Sequence, residues 1–193
     1  ALVVLAAPLL YNSRFLLVRT LGTALLVLLA LGGLVPLVLD KVAPEPVRNE
    51  WQRAVALANN RCPSLWAMRP IAKLPPATIF TFGDLAPRLI AVTHHRAIIG
   101  PYHRNGEQIV DAMNFFRGSA DEARALIAKY HADYVLICPM MSQATVFTSE
   151  APDGFYGKLA SGKAPAWLEP VPLPKNSPLM LWRVKPSGPG QPG

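Results

Sequence analysis

The chain has 193 residues, 51% of them hydrophobic, and its mean hydropathy of +0.26 is high for a globular domain. The formal net charge is +7, but the basic residues are scattered singly, which argues against nucleic acid as a partner and favours anionic lipid head groups. Because the apolar excess lies in the first forty positions, we predict a transmembrane segment over residues 1–40 and a water-exposed domain over 41–185.

An uncharged run from Thr20 to Leu39 is the predicted transmembrane helix. It is about 20 residues long, and at about 1.5 Å per residue it spans the roughly 30 Å apolar core of a bilayer. The preceding stretch Ala1–Leu10 is also apolar, so we interpret the chain as the C-terminal fragment of a multi-pass protein. The alternative is a signal peptide, which we disfavour because Pro36 is followed by more apolar residues instead of a cleavage site.

The remainder is predicted to alternate helices and strands. An amphipathic helix over Val47–Asn60 precedes a proline-containing segment, Arg61–Pro76, that we expect to be mostly extended or turning. The next predicted elements are a strand at Ala77–Phe82, a helical turn at Leu85–Thr93, a strand at Arg96–Ile99 and a helix at Gly106–Arg117. A capping box of Ser119 and Glu122 opens a predicted helix at Ala120–His131. The last predicted elements are a buried strand at Tyr134–Cys138, a helical turn at Phe155–Leu159, and antiparallel strands at Trp167–Leu173 and Leu179–Val184.

Together these elements predict an α/β fold: a small three-layer-like domain with a mixed sheet of about five strands, after an N-terminal transmembrane helix. The tail over residues 186–193 contains only Pro, Gly, Ser and Gln, a composition typical of disorder.

The two cysteines, Cys62 and Cys138, lie far apart in the sequence, which suits a disulfide in an oxidising compartment. Their Cα atoms should then lie within about 7 Å of each other. Free buried thiols are the alternative. Lys and Arg residues flank the predicted membrane helix on both sides and do not decide its orientation. The cysteine pair therefore favours an extracytoplasmic domain.

The densest polar cluster is Tyr102-His103-Arg104-Asn105, between a predicted strand and a predicted helix. The helix N-terminus offers free N–H groups to an anion, and Arg104 can form two parallel hydrogen bonds with a phosphate or carboxylate. Alternatively, Asn105 caps the helix and Arg104 pairs with Asp84. Asp84 ends a predicted strand, where α/β sheets commonly bind ligands, although it could instead cap the next helix.

His94 is added to these residues. The predicted ligand-binding residues are therefore Asp84, His94, Tyr102, His103, Arg104 and Asn105. The neighbouring His94 and His95 could suggest a metal, but adjacent side chains at a turn should point to opposite sides, and no third ligand has helical spacing. We therefore predict no metal site, and helix capping is the simpler role. No phosphate loop, nucleophile elbow or catalytic cysteine motif is present, so the catalytic residues are unknown.

The motifs Thr93-His94-His95-Arg96 and Gly100–Asn105 resemble those of bacterial polytopic membrane proteins whose last transmembrane helix leads into a small extracytoplasmic domain. The order of elements is similar to the soluble C-terminal domain of oligosaccharyltransferase catalytic subunits and other GT-C-type glycosyltransferases, such as protein mannosyltransferases. Those subunits carry Trp-Trp-Asp-Tyr-Gly where this chain has Phe80-Thr81-Phe82-Gly83-Asp84. The acceptor-gripping role of that motif is therefore not carried over.

The resemblance implies a multi-pass protein of the bacterial inner membrane with its C-terminal domain in the periplasm. Its partners would be the lipid bilayer and a lipid-linked sugar phosphate, and the domain would shape the acceptor side of a site built elsewhere. It also implies that the catalytic carboxylates, and any divalent metal, belong to the N-terminal part of the full-length protein, so this fragment needs no cofactor. The alternative is a non-enzymatic, membrane-anchored binding or scaffold domain.

Overall fold

A computed structural model of the chain describes residues 17–28, 32, 49–100 and 106–186. The chain divides into two compact units, Ala1–Val47 and Arg48–Gly193. The second unit contains α1 (Glu50–Arg61), α2 (Leu65–Met68), a 3₁₀ turn (Ile71–Lys73), β1 (Thr78–Phe80), α3 (Ala86–Val92), β2 (Arg96–Ala97), α4 (Gly106–Arg117), α5 (Ala120–Tyr130), β3 (Tyr134–Ile137), α6 (Ser142–Glu150), α7 (Phe155–Ala160), β4 (Leu168–Val171) and β5 (Met180–Val184).

In the first unit, residues 17–28 form a helix that overlaps the predicted transmembrane segment. Its apolar side chains are largely exposed, including Leu17, Leu21 and Leu28. Within the ranges that the structure describes, no helix has both the length and the hydropathy needed to cross a membrane. Residues 29–31 and 33–48 lie outside those ranges, so the helix over Thr20–Leu39 stays a prediction.

The second unit is built on one five-stranded sheet with the order β2-β1-β3-β5-β4. Strands β2, β1 and β3 are parallel, and β5 runs antiparallel to both β3 and β4. The predicted α/β fold with a mixed sheet of about five strands is therefore confirmed. All four residues of β3 are buried, as its continuous apolar sequence indicated.

Helices cover both faces of this sheet. The connection from β1 leads to β2 on one side of β1, and the connection from β2 leads back past β1 to β3 on the other side. Because such crossovers between parallel strands are right-handed, α3 and the α4–α5 pair lie on opposite faces of the sheet. On the α4 face, the ring of Phe80 stacks on that of Phe115 with centroids 3.8 Å apart. Because successive side chains of a strand point to opposite faces of the sheet, Ile79 and Thr81 face α3.

Two local predictions were wrong. The segment Arg61–Pro76 contains α2 and a 3₁₀ turn where we expected extended or turning chain, because the Ser64 hydroxyl accepts a hydrogen bond from the Ala67 N–H at 3.2 Å and starts α2. Helix α6 was not predicted at all, since it begins after Met141, which makes no side-chain capping bond. By contrast, the predicted capping box at Ser119 and Glu122 is present at the start of α5.

Candidate functional site

The three parallel strands end at one edge of the sheet, which we call the carboxyl edge. After β1 the chain turns toward β2, whereas after β3 it leads to β4 at the opposite edge of the sheet. The connections after β1 and β3 therefore leave this edge in opposite directions, and we refer to the switch point between them as the crevice. Open α/β sheets bind ligands at such switch points, so the crevice is the candidate site.

On the β1 side of the crevice lies Asp84, whose side chain is exposed. Its backbone N–H donates to Oε1 of Gln143 at 3.0 Å, which fixes the turn after β1 against the start of α6. The N-cap of α3 is Leu85, without a side-chain cap, so the capping role considered for Asp84 is not observed. No described residue forms an ion pair with the Asp84 carboxylate, and Arg104, its predicted alternative partner, lies outside the described residues.

Gly83 allows the turn after β1 to approach α6 closely. A Cβ atom at this position would lie 3.3 Å from Cδ1 of Ile99 and 3.5 Å from Oε1 of Gln143. A larger residue would therefore push against the amide that holds Asp84. The close approach explains why glycine suits this turn even though its backbone requires no special conformation.

On the β3 side, α1 is fastened to the start of α6. The Ser142 N–H donates to Oδ1 of Asn59 at 2.9 Å, and Nδ2 of Asn59 donates to the Ser142 hydroxyl at 2.6 Å. One turn further along α1, Cys62 forms a disulfide with Cys138, and their Cα atoms are 6.2 Å apart. This distance lies within the limit of about 7 Å expected for a bridged pair.

Met140, in the turn between β3 and α6, adopts the left-handed conformation with φ of 65°. An unbranched residue other than glycine seldom adopts this conformation, and such positions concentrate at functional sites. Tyr156 forms a hydrogen bond with the Met140 backbone, while burial raises the pKa of the Tyr156 hydroxyl. The neutral side chain of Tyr156 therefore holds this turn in place.

His94 does not lie at the carboxyl edge. It precedes β2, whose first residue Arg96 pairs with Thr78 at the start of β1, so it belongs to the amino edge of the sheet. Its Nε2 bonds the Leu74 carbonyl oxygen at 2.7 Å. The structure thus does not bring His94 and Asp84 together, because they follow opposite ends of parallel strands.

His95 is buried beside His94, with ring centroids 4.5 Å apart, and its Nε2 bonds the Ile71 carbonyl oxygen at 2.8 Å. The expectation that the two rings point to opposite sides was wrong, since both reach carbonyl groups of one 3₁₀ segment. Among the residues that the structure describes, no group of three His, Cys, Asp or Glu side chains could hold a metal ion.

The remaining predicted ligand-binding residues, Tyr102, His103, Arg104 and Asn105, lie outside the described residues. Their role stays a prediction. Sequence reasoning missed Asn59, Ser142 and Gln143, which form the described polar rim of the crevice together with Asp84. The signal that could have found two of them is position, because Ser142 and Gln143 closely follow the buried strand that ends at Ile137.

No protein-family model matches the chain, and no curated protein matches it. The crystal structure of the C-terminal globular domain of an oligosaccharyltransferase from Archaeoglobus fulgidus aligns with 72% of this chain and 100% of its own length. The sequence identity is 16% and the TM-score is 0.44.

Proposed function

We propose that this chain is the C-terminal region of a membrane glycosyltransferase-like protein that uses a lipid-linked sugar. In this proposal the α/β domain shapes the acceptor side of the site, and its ligands approach the carboxyl edge of the sheet. The catalytic residues, and any divalent metal, belong to other parts of the full-length protein.

The observation that carries the proposal is the exposed Asp84 carboxylate at the switch point between the ends of β1 and β3. The Asp84 carboxylate has no ion-pair partner among the described residues, and Gln143 holds its backbone in place. Carboxylates and amides are well suited to bind sugar hydroxyls or an acceptor amide. The sequence motif Tyr102–Asn105 follows β2, the third parallel strand, and would supply the phosphate ligands, with Arg104 as the main anion partner.

The proposed location is the periplasmic side of a bacterial inner membrane. Supporting this placement, the Cys62–Cys138 disulfide is of a kind that persists in oxidising compartments. The exposed apolar side chains along residues 17–28 would be covered by lipid if the helix continues through Leu39. Leu28, which is 66% exposed, would then lie near the centre of the span.

Membrane insertion can be tested by extraction of membranes with alkaline carbonate. The full chain should stay in the membrane pellet, and Leu28→Arg should move part of it to the supernatant, because a charge near the centre of a span costs about 3 kcal/mol. Leu57→Arg, at an exposed position on α1 of the globular unit, is the matched control. Complete extraction of the unmodified chain would refute the membrane span.

Ligand binding can be tested with the full-length protein in lipid nanodiscs. The probes are a short isoprenoid phosphate and the same lipid carrying a sugar through a phosphate. Arg104→Ala should weaken binding of both probes at least tenfold, since a hydrogen bond to a charged group contributes about 1.5–3 kcal/mol. Asp84→Asn should weaken only the sugar-bearing probe, because the carboxylate is assigned to hydroxyl groups.

The control is Asp153→Asn, an exposed carboxylate in the segment before α7. The melting temperature should be unchanged in all three variants. Unchanged affinity together with a large fall in melting temperature for Arg104→Ala would show that this cluster is structural. Binding of both probes without any glycosyl transfer by the full-length protein would favour a membrane-anchored binding or scaffold domain instead.

A further inference from the structure

An apolar and basic surface surrounds α2 and contains none of the ligand-binding residues proposed above. We define this α2 surface by Arg61, Leu65, Trp66, Arg69 and Lys73. Leu65 and Trp66 are 60% and 46% exposed, although the next two residues, Ala67 and Met68, are almost completely buried. The buried pair fixes the orientation of α2, so the two large apolar side chains are held outward.

The charge around these apolar side chains has one sign. The sequence has no Asp or Glu between Glu50 and Asp84, whereas it has four basic residues there, Arg53 and the three of the α2 surface. No described carboxylate forms an ion pair with Arg61, Arg69 or Lys73. The Arg61 guanidinium lies 5.9 Å from the centre of the Trp66 ring. The cations are therefore available to an anionic partner.

A shallow cavity of about 260 Å³ opens beside α2. Its lining combines Trp66, Ala67, Pro70 and Pro174 with the polar side chains of Arg69, Lys73 and Ser177. An occupant that suits this lining has an apolar part and a negatively charged group. A phospholipid combines the two, with acyl chains next to its phosphate.

We infer that the α2 surface docks on the anionic leaflet of a lipid bilayer. Trp66 and Leu65 enter the head-group region, where tryptophan is enriched in membrane proteins, and Arg61, Arg69 and Lys73 pair with lipid phosphates. The inference goes beyond the proposed function, because it requires neither a sugar ligand nor the crevice at the carboxyl edge. It also assigns an orientation to the globular unit, with α2 toward the membrane.

The test uses the full chain with vesicles of phosphatidylcholine alone or with about one third phosphatidylglycerol. Some of the phosphatidylcholine carries bromine on its acyl chains close to the glycerol, where it quenches tryptophans that reach the head groups. We expect stronger quenching in the anionic vesicles, and Trp66→Phe should remove most of that difference. Trp167→Phe, directly before β4, should leave the difference unchanged.

The charge contribution is tested with Arg69→Gln/Lys73→Gln. Each basic residue near an anionic leaflet changes binding about fivefold, so the double variant should bind roughly 25-fold more weakly or lose its docked signal. Lys158→Gln/Lys163→Gln, two exposed lysines near α7, removes the same charge elsewhere and should have little effect. Leu65→Ser should weaken docking, whereas Val110→Ser, at a position 57% exposed on α4, should not.

Flotation separates this inference from the proposed membrane span. With a span, the chain floats with both kinds of vesicle and only the quenching differs between them. Without a span, it floats with anionic vesicles alone, and the docking inference stands while the span fails. Equal quenching in neutral and anionic vesicles, or unchanged quenching in Trp66→Phe, overturns the inference and leaves an acidic protein as the partner of this surface.

Discussion

At the scale of single residues, the environment of the Thr81 hydroxyl, directly after β1, is unfavourable. Its side chain is completely buried, and its hydroxyl oxygen has no hydrogen-bond partner among the described residues. A buried hydroxyl without a partner costs about 1–3 kcal/mol. Thr93 provides the contrast, because its hydroxyl donates to the Leu89 carbonyl at 2.6 Å and accepts from the His95 N–H at 3.2 Å.

We therefore expect Thr81→Val to raise the free energy of unfolding by about 1 kcal/mol, since valine has nearly the same shape and no hydroxyl. Thr93→Val should lower it by about 1 kcal/mol. Urea denaturation followed by circular dichroism measures both. A Thr81→Val variant that is less stable than the unmodified chain would mean that this hydroxyl has a partner in solution.

Asp111 couples stability to pH. Hydrogen bonds from Lys129 at 2.7 Å and from the Tyr130 hydroxyl at 2.6 Å lower the pKa of the Asp111 carboxyl below its ordinary value of 3.8. Because the pKa is lower in the folded state, the stabilisation is present above pH 3.8 and is lost as the pH falls through the folded-state pKa.

Asp111→Asn should therefore be less stable than the unmodified chain at neutral pH, and the difference should shrink as the pH falls below about 4. Tyr130→Phe removes one of the two donors and should have a smaller effect of the same kind. Melting temperatures between pH 2.5 and 7 provide the measurement. Stability curves that stay parallel across this range would contradict the assignment.

At the scale of elements, α1 is held against the end of β3 by two different kinds of bond. Asn59 and Ser142 exchange a pair of hydrogen bonds, and Cys62 is covalently joined to Cys138. The disulfide closes a sequence separation of 76 residues. A loop of this length would lose much conformational freedom, so the crosslink should matter more than the local hydrogen bonds.

Replacing both cysteines with alanine should lower the free energy of unfolding by about 4 kcal/mol, mainly because the unfolded chain regains the entropy of the open loop. Asn59→Ala should cost only about 1–2 kcal/mol. Thermal denaturation of the two variants, with and without a reducing agent, measures both effects. If reduction leaves the melting temperature of the unmodified chain unchanged, the bridge is not formed in solution.

At the scale of the whole molecule, the globular unit carries its own core. The buried hydrophobic core residues that the structure describes run from Ala58 to Trp182, and all of them lie within Arg48–Gly193. The aromatic side chains of β1 and α4 lie at its centre. Such a core should be sufficient for independent folding.

We expect residues 48–193, expressed alone in an oxidising compartment, to unfold in one cooperative transition. The near-ultraviolet circular dichroism should show fixed aromatic side chains, as a packed core requires. Phe80→Ala, which removes a completely buried ring, should lower the free energy of unfolding by about 3–5 kcal/mol. A broad transition without a near-ultraviolet signal would show that the globular unit depends on the N-terminal residues.

The sequence by itself determined most of the elements of the globular unit. Tyr134–Cys138 was recognisable as a buried strand from its unbroken apolar run, and Ser119 with Glu122 marked the start of α5. These features depend on neighbours a few positions away, which is why local patterns predict them. The mixed five-stranded sheet followed from the order of such elements.

Only the tertiary structure decided which residues meet. His94 and Asp84 both flank parallel strands, but strand direction and order place them at opposite edges. Asn59 reaches the carboxyl edge through a contact with Ser142 across 83 positions, and the sequence around Asn59 contains no local signal for this contact. Such contacts depend on packing between distant segments, which the periodicity of any one segment does not record.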